Sequence, residues 1–185
     1  TNWGIGLPME GVNGANWDIM RPLLADPDLK PAQADVMSAT HHLQEMLQIR
    51  QSSPLFRLQT AAEVQDRVTF HNTGPDQTPG VIVMSLDDTD GALNSPYSTV
   101  VVIFNANDEA QIIARDQLAE TIMIGGAFAL HPVQAASHDP VVQSAAFANE
   151  TFTVPARTTA VFVQEAGPTM TIIYLPLVTR NYAGN

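Results

Sequence analysis

The sequence predicts a mainly β protein: an antiparallel β-sandwich on the C-terminal side, preceded by a loop and one long α-helix. Three observations carry this. Residues 35–58 hold the one long apolar pattern at helical 3/4 spacing. From Val68 onward the chain breaks into short runs rich in Val, Ile, Phe and Thr. Turns bearing Gly, Pro, Asn or Asp separate most of these runs, which favours an antiparallel sandwich over a parallel α/β sheet.

Taken in order, residues 1–30 read as a loop. Gly4, Gly6, Pro8, Gly11, Gly14, Pro22 and Pro27 punctuate them closely. The protein's two tryptophans, Trp3 and Trp17, sit here. Either they line a ligand surface on which sugars stack, or they anchor an irregular loop onto a core. Pro31 suits the first turn of the helix that follows, and Ser52-Ser53-Pro54 stops it, because the residue before proline is pushed out of the α region. Val36, Ala39, Leu43, Met46 and Leu47 share one face. Burying that face would contribute on the order of 5–10 kcal/mol. After Pro54 the chain reads as strands and turns: 68–72, 80–86, 98–106, 110–114, 121–124, 128–133, 151–155, 159–164 and 169–175. The run Val100–Phe104 has no polar residue, which predicts a central strand buried on both faces.

Composition narrows the partners. The 185 residues suit one domain, or one domain plus a fragment of another. Net charge is −11 with only eight Lys and Arg, so nucleic acid and anionic membranes are not expected partners. There is no cysteine, hence no disulfide and no thiolate metal site. No stretch has the length and apolarity of a transmembrane helix or signal peptide.

No complete active site emerges from the residues. His41 and His42 point about 100° apart on a helix and cannot chelate one metal together. His71, His131 and His138 lack ligand spacing, so all five histidines read as structural or surface groups. Asp87-Asp88-Thr89-Asp90-Gly91 lacks the closing Glu of a calcium loop and reads as a solvated hairpin loop. Asn149-Glu150-Thr151 matches a glycosylation acceptor, a triplet frequent by chance. There is no G-x-S-x-G elbow and no phosphate-binding glycine loop. The expectation is therefore no catalytic residue, no cofactor and no metal.

The runs WGIGLP, NW, MRPLLADPDLKP and HHLQEMLQIRQSSPLFRL between residues 3 and 58 resemble the last part of the catalytic barrel of bacterial pullulanases, the pullulanase-type α-1,6-glucosidases of the α-amylase superfamily. The resemblance continues in RVTFHNTGPDQTPGVIVM (67–84), VVVIFNA (100–106), LHPVQAAS (130–137) and TFTVPARTTAVFV (151–163). It implies a (β/α)8 barrel end at 1–58, comprising the loop after the last strand and the final helix. It implies the family's C-terminal β-sandwich at 59–185, though residues 165–185 depart from the family's pattern and read as an extra terminal strand or tail. The family's catalytic carboxylates lie upstream of every matched segment, so none is carried over and the chain alone is expected to be inactive. Loops after barrel strands lie on the active-site face, which makes Asn16 and Trp17 candidates to face substrate in the full-length parent. Implied partners are an α-glucan such as pullulan or starch, reached through the parent, and the catalytic barrel of the same polypeptide or a companion fragment. An extracellular or cell-surface bacterial location is implied as well. The alternative is a stand-alone carbohydrate-binding sandwich, against which the aromatic fraction of 6% weighs. The helix is expected to dock on the sandwich through residues 54–58, with Leu43 and Leu47 covered.

Overall fold

The computed structural model describes residues 6–118 and 126–167. Trp3, the strands expected at 121–124 and 169–175, and the tail from residue 168 lie outside them. The described residues form eight strands: β1 (Val68–His71), β2 (Val81–Asp87), β3 (Tyr97–Asn105), β4 (Gln111–Ala114), β5 (Ala129–Leu130), β6 (Ala146–Ala148), β7 (Thr151–Val154) and β8 (Thr158–Glu165). They build two antiparallel sheets, ordered β1-β2-β3-β8-β5 and β4-β7-β6.

Alternation along the strands creates two separate cores. Val81, Val83, Val101, Ile103, Ala160 and Phe162 of the larger sheet meet Ile113, Phe152 and Val154 of the smaller one. The Phe152 ring lies 4.6 Å from that of Phe147 and 5.0 Å from that of Phe162, the latter in an edge contact. On the opposite face, Leu86, Val100, Val102, Val161 and Val163 meet Ile49 and Leu55, with Met46 and Phe56 alongside. Residues 100–103 of β3 are thus covered on both sides. That accounts for the unbroken apolar run of β3, which is the middle strand of five as expected.

The N-terminal segment differs from the loop expected. Residues form α1 (Glu10–Asn13), a 3-10 turn (Gly14–Asn16), α2 (Trp17–Ala25) and a second 3-10 turn (Pro27–Leu29). Gly14 adopts ordinary helical angles, φ −54° and ψ −38°. Pro27 occupies the first position of its turn, where the missing N–H is no loss. Single helical turns need only a few residues between breakers, so frequent Gly and Pro shorten helices without abolishing them. None of residues 6–40 is buried.

Helix α3 (Gln33–Ser52) sits where expected and stops at Ser53, whose φ is −148°. Leu55 is buried and Phe56 packs beside it, so the segment after the helix docks as expected. The helix itself is turned the other way. Leu43 is 60% and Leu47 52% exposed, and the buried residues are Glu45 and Ile49. Glu45 lies about 200° around the helix from Leu43. The expected cover over Leu43 and Leu47 is therefore absent among the described residues, because polar anchors on the opposite face set the rotation.

Residues after Pro54 are also not all strands and turns. A 3-10 turn (Pro54–Arg57) leads into α4 (Ala61–Arg67). A capping box starts α4: Glu63 N–H donates to Thr60 Oγ1 at 3.1 Å, and Thr60 N–H donates to Glu63 Oε2 at 3.1 Å. The strand expected at 128–133 is two residues long, then turns into α5 (Pro132–Ala135), with His131 as its cap and Pro132 at its first position. Helix α6 (Pro140–Gln143) and strand β6 were not expected.

Candidate functional site

The two residues expected to face substrate lie where a 3-10 turn and an α-helix meet. Asn16 is exposed and ends the first 3-10 turn; Trp17 opens α2 and is half-buried. The Trp17 indole N–H donates to the Pro8 carbonyl at 2.9 Å. The Arg21 guanidinium carbon stands 5.4 Å from the centre of its ring. Trp17 therefore folds residues 8–21 onto themselves, rather than anchoring them to the sandwich core.

The densest chemistry lies where α3 meets the sheet. The Glu45 carboxylate accepts from Ser137 Oγ at 2.8 Å and from the His138 N–H at 3.1 Å. The His138 ring stacks on His41 with centroids 4.3 Å apart. About two turns further along, Ser52 Oγ lies 2.9 Å from His131 Nε2. The Val133 N–H donates to His131 Nδ1 at 3.2 Å, so Nδ1 is the acceptor and the network assigns the proton to Nε2, which donates to Ser52. Ser52 in turn donates to the Ile49 carbonyl at 2.7 Å. Ser53 and Ser95 add a hydroxyl pair at 2.8 Å. Burial holds His131 down at about 4, because a charged imidazole there would lose its hydration.

Gln134 finishes the sheet edge next to this junction. Its Nε2 donates to the Thr159 carbonyl at 2.8 Å, and its Oε1 accepts from the Val161 N–H at 2.7 Å. The side-chain amide thereby stands in for a strand residue beside β8, beyond the reach of the two-residue β5. A second buried imidazole, His71, lies 2.8 Å from Ser85 Oγ between β1 and β2, and burial lowers its pKa too.

The Asp87–Gly91 loop is more than a solvated hairpin. Asp88 is buried and accepts from the N–H groups of Leu93 and Ser95, both at 3.0 Å. Arg67 supplies the cation, at 3.1 Å from Asp88 and 3.0 Å from Asp90. Its hydrogen bond holds Asp90 down at about 2. Among the described residues no group of three or more His, Cys, Asp or Glu could hold a metal ion.

What these groups do is position a helix on a sheet. The reading of the histidines as structural or surface groups agrees with this: His71 and His131 are buried in hydrogen bonds, while His42 and His138 are exposed. Sequence reasoning missed Glu45, Ser52, Gln134 and Ser137, and the partners of His131. One signal was available, since His41, Glu45, Ile49 and Ser52 themselves follow 3/4 spacing, a second stripe opposite the apolar one.

Comparison with known proteins now bears on these features. The family described as alpha-1,6-glucosidases, pullulanase-type, C-terminal matches residues 1–165. Pullulanase 1, chloroplastic, of Arabidopsis thaliana is 43% identical over 171 residues, covering 88% of this chain and 17% of that protein. The crystal structure of PulA from Klebsiella oxytoca superposes with a TM-score of 0.71 at 29% identity, over 89% of this chain and 15% of that one. A maltotriose complex of PulA from Klebsiella pneumoniae gives 0.69 at 30% identity, over 89% and 17%. The chain thus spans about a sixth of the length of these relatives, and it belongs to the pullulanase-type α-1,6-glucosidase family as a C-terminal region.

Proposed function

We propose that this chain is the C-terminal part of a debranching enzyme that hydrolyses α-1,6-glucosidic bonds of pullulan or starch, and that its own role is structural and non-catalytic. In this reading residues 1–58 complete the catalytic barrel and residues 59–185 form the sandwich that supports it. The observation that carries it is the outward stripe of α3. Val36, Leu43 and Leu47 are exposed on the side away from the sheet, on a segment with no buried residue before Glu45. An apolar stripe at helical spacing is the mark of a helix with a partner on that side. The preceding barrel is that partner, supplied by the same polypeptide or by a companion fragment.

The α-glucan is then a partner of the whole enzyme, a reading supported by the maltotriose complex of the Klebsiella pneumoniae relative. Asn16 and Trp17 stand at the substrate side of the barrel end. Replacing Trp17 with Ala in the full-length parent is expected to lower kcat/KM on pullulan by tenfold or more; unchanged kinetics removes the residue from the site. Isothermal titration of the present chain with maltotriose and pullulan is expected to show no micromolar binding. Binding at that strength favours the alternative, a stand-alone carbohydrate-binding sandwich. An extracellular or cell-surface location belongs to the same proposal and is checked by fractionating the source cells; the plant relative is chloroplastic by name. No helix among the described residues is long and apolar enough to cross a membrane.

A further inference from the structure

The outer face of the larger sheet is only half covered. Its residues fall into rows across the strands. Val68, Leu86, Val100 and Val163 form one row, and Phe70, Met84, Val102 and Val161 the next. The third row pairs Ile82 with Phe104. Helix α3 and the Pro54–Arg57 turn lie on the first row and on the β3–β8 part of the second. Beyond their reach Phe70 is 57%, Ile82 53% and Phe104 38% exposed. These three side chains adjoin across three strands and floor an open groove of about 550 Å³, walled by Asn72, Gln77 and Thr78. No Asp, Glu, Lys or Arg among the described residues lines it, in a chain of net charge −11.

We infer that the Phe70–Ile82–Phe104 patch is a second seat for the upstream catalytic part of the same polypeptide, separate from the stripe on α3. This rests on the reading of the chain as the end of a larger enzyme. Two observations choose that occupant. First, direction: α3 lies on this face of the sheet and its apolar stripe points away from the sheet, so stripe and patch face the same side. A body seated on the stripe overhangs the uncovered rows, which lie lower by one helix diameter, about 10 Å. Second, length: the relatives carry more than four-fifths of their chain outside the matched region, ample to cover both surfaces. Uncharged apolar ground beside a helix interface suits a permanent contact within one polypeptide.

The test compares this chain with the longer polypeptide that includes the sequence upstream of Thr1. Hydroxyl-radical footprinting at Phe70 and Phe104 is expected to show oxidation slowed at least fivefold in the longer protein. The double variant Phe70→Ser, Phe104→Ser is expected to split the single thermal transition of the longer protein into two, and to shift Tm far less in the present chain. Leu43→Ser with Leu47→Ser serves as the comparison. If that pair uncouples the longer protein while Phe70 and Phe104 remain equally oxidised in both forms, the second seat is wrong and the barrel-end reading stands. If neither pair uncouples it, both fail. Protection of Phe70 by maltohexaose in the present chain, or a dimer of that chain dissolved by the Phe variants, also overturns the inference.

Discussion

His131 joins the helix to the sheet through one neutral ring, and acid acts on that ring. In an unfolded chain the imidazole titrates near 6.5; in the fold burial holds it at about 4. Between these values the unfolded state binds the extra proton, so stability rises with pH there. The contribution of neutral His131 is complete above about pH 6.5 and is lost as pH falls toward 4. His71, also lowered by burial, acts in the same direction. Urea melts at pH 7.5 and 4.5 are expected to show a lower midpoint at the acid value, and a smaller drop in His131→Gln. An equal drop in the variant would place the acid sensitivity elsewhere. The sequence showed His131 only as a histidine without ligand spacing. Its partner Ser52 lies 79 residues away, so no local pattern could reveal the pair. The same distance effect hid Gln134, whose amide reads as surface chemistry until β8 is placed beside it.

At the scale of elements, local signals were legible and rotations were not. The end of α3 was readable because Ser53 and Pro54 act on the backbone beside them. The central place of β3 was readable because burial on both faces leaves an unbroken apolar run. The face that α3 turns inward was not, since its anchors are Ser137 and His138, 92 and 93 residues from Glu45. An apolar stripe tells that a helix has a partner, not which of two neighbours receives it. Helix α4 was a signal overlooked: Thr60-Ala61-Ala62-Glu63 spells its capping box. Replacing Thr60 with Ala is expected to lower stability by about 1 kcal/mol, measured by denaturant melts. A shift below a few tenths would show that α4 is held by its contacts with β1 and β2 alone.

At the scale of the whole molecule, the larger sheet is the middle of three layers, with a small sheet on one side and α3 on the other. The stripe of Val36, Leu43 and Leu47 and the patch of Phe70, Ile82 and Phe104 are left on the helix side. The stripe is a surface on which the chain by itself associates, and a concentration series is expected to show it. Sedimentation velocity on the Leu43→Ser, Leu47→Ser variant is expected to give a smaller concentration dependence than the unaltered chain. Identical behaviour would mean that the exposed stripe does not drive association. The family resemblance already in the sequence identified a C-terminal region of the pullulanase type, which periodicity could not do.

The seat of α3 is made from residues far apart in the order of synthesis. Ile49 and Leu55 lie against Val161 and Val163, so the helix emerges from the ribosome more than a hundred residues before the last strand of its floor. At ordinary elongation rates that is a wait of roughly 5–20 s, and pairing β3 with β8 is itself a non-local, slow step. During that interval α3 has its apolar stripe, but no finished sheet, to hold it. If the stripe seats on an upstream part of the polypeptide, as proposed, that part is made in time to hold the helix first, and the sandwich closes against it last.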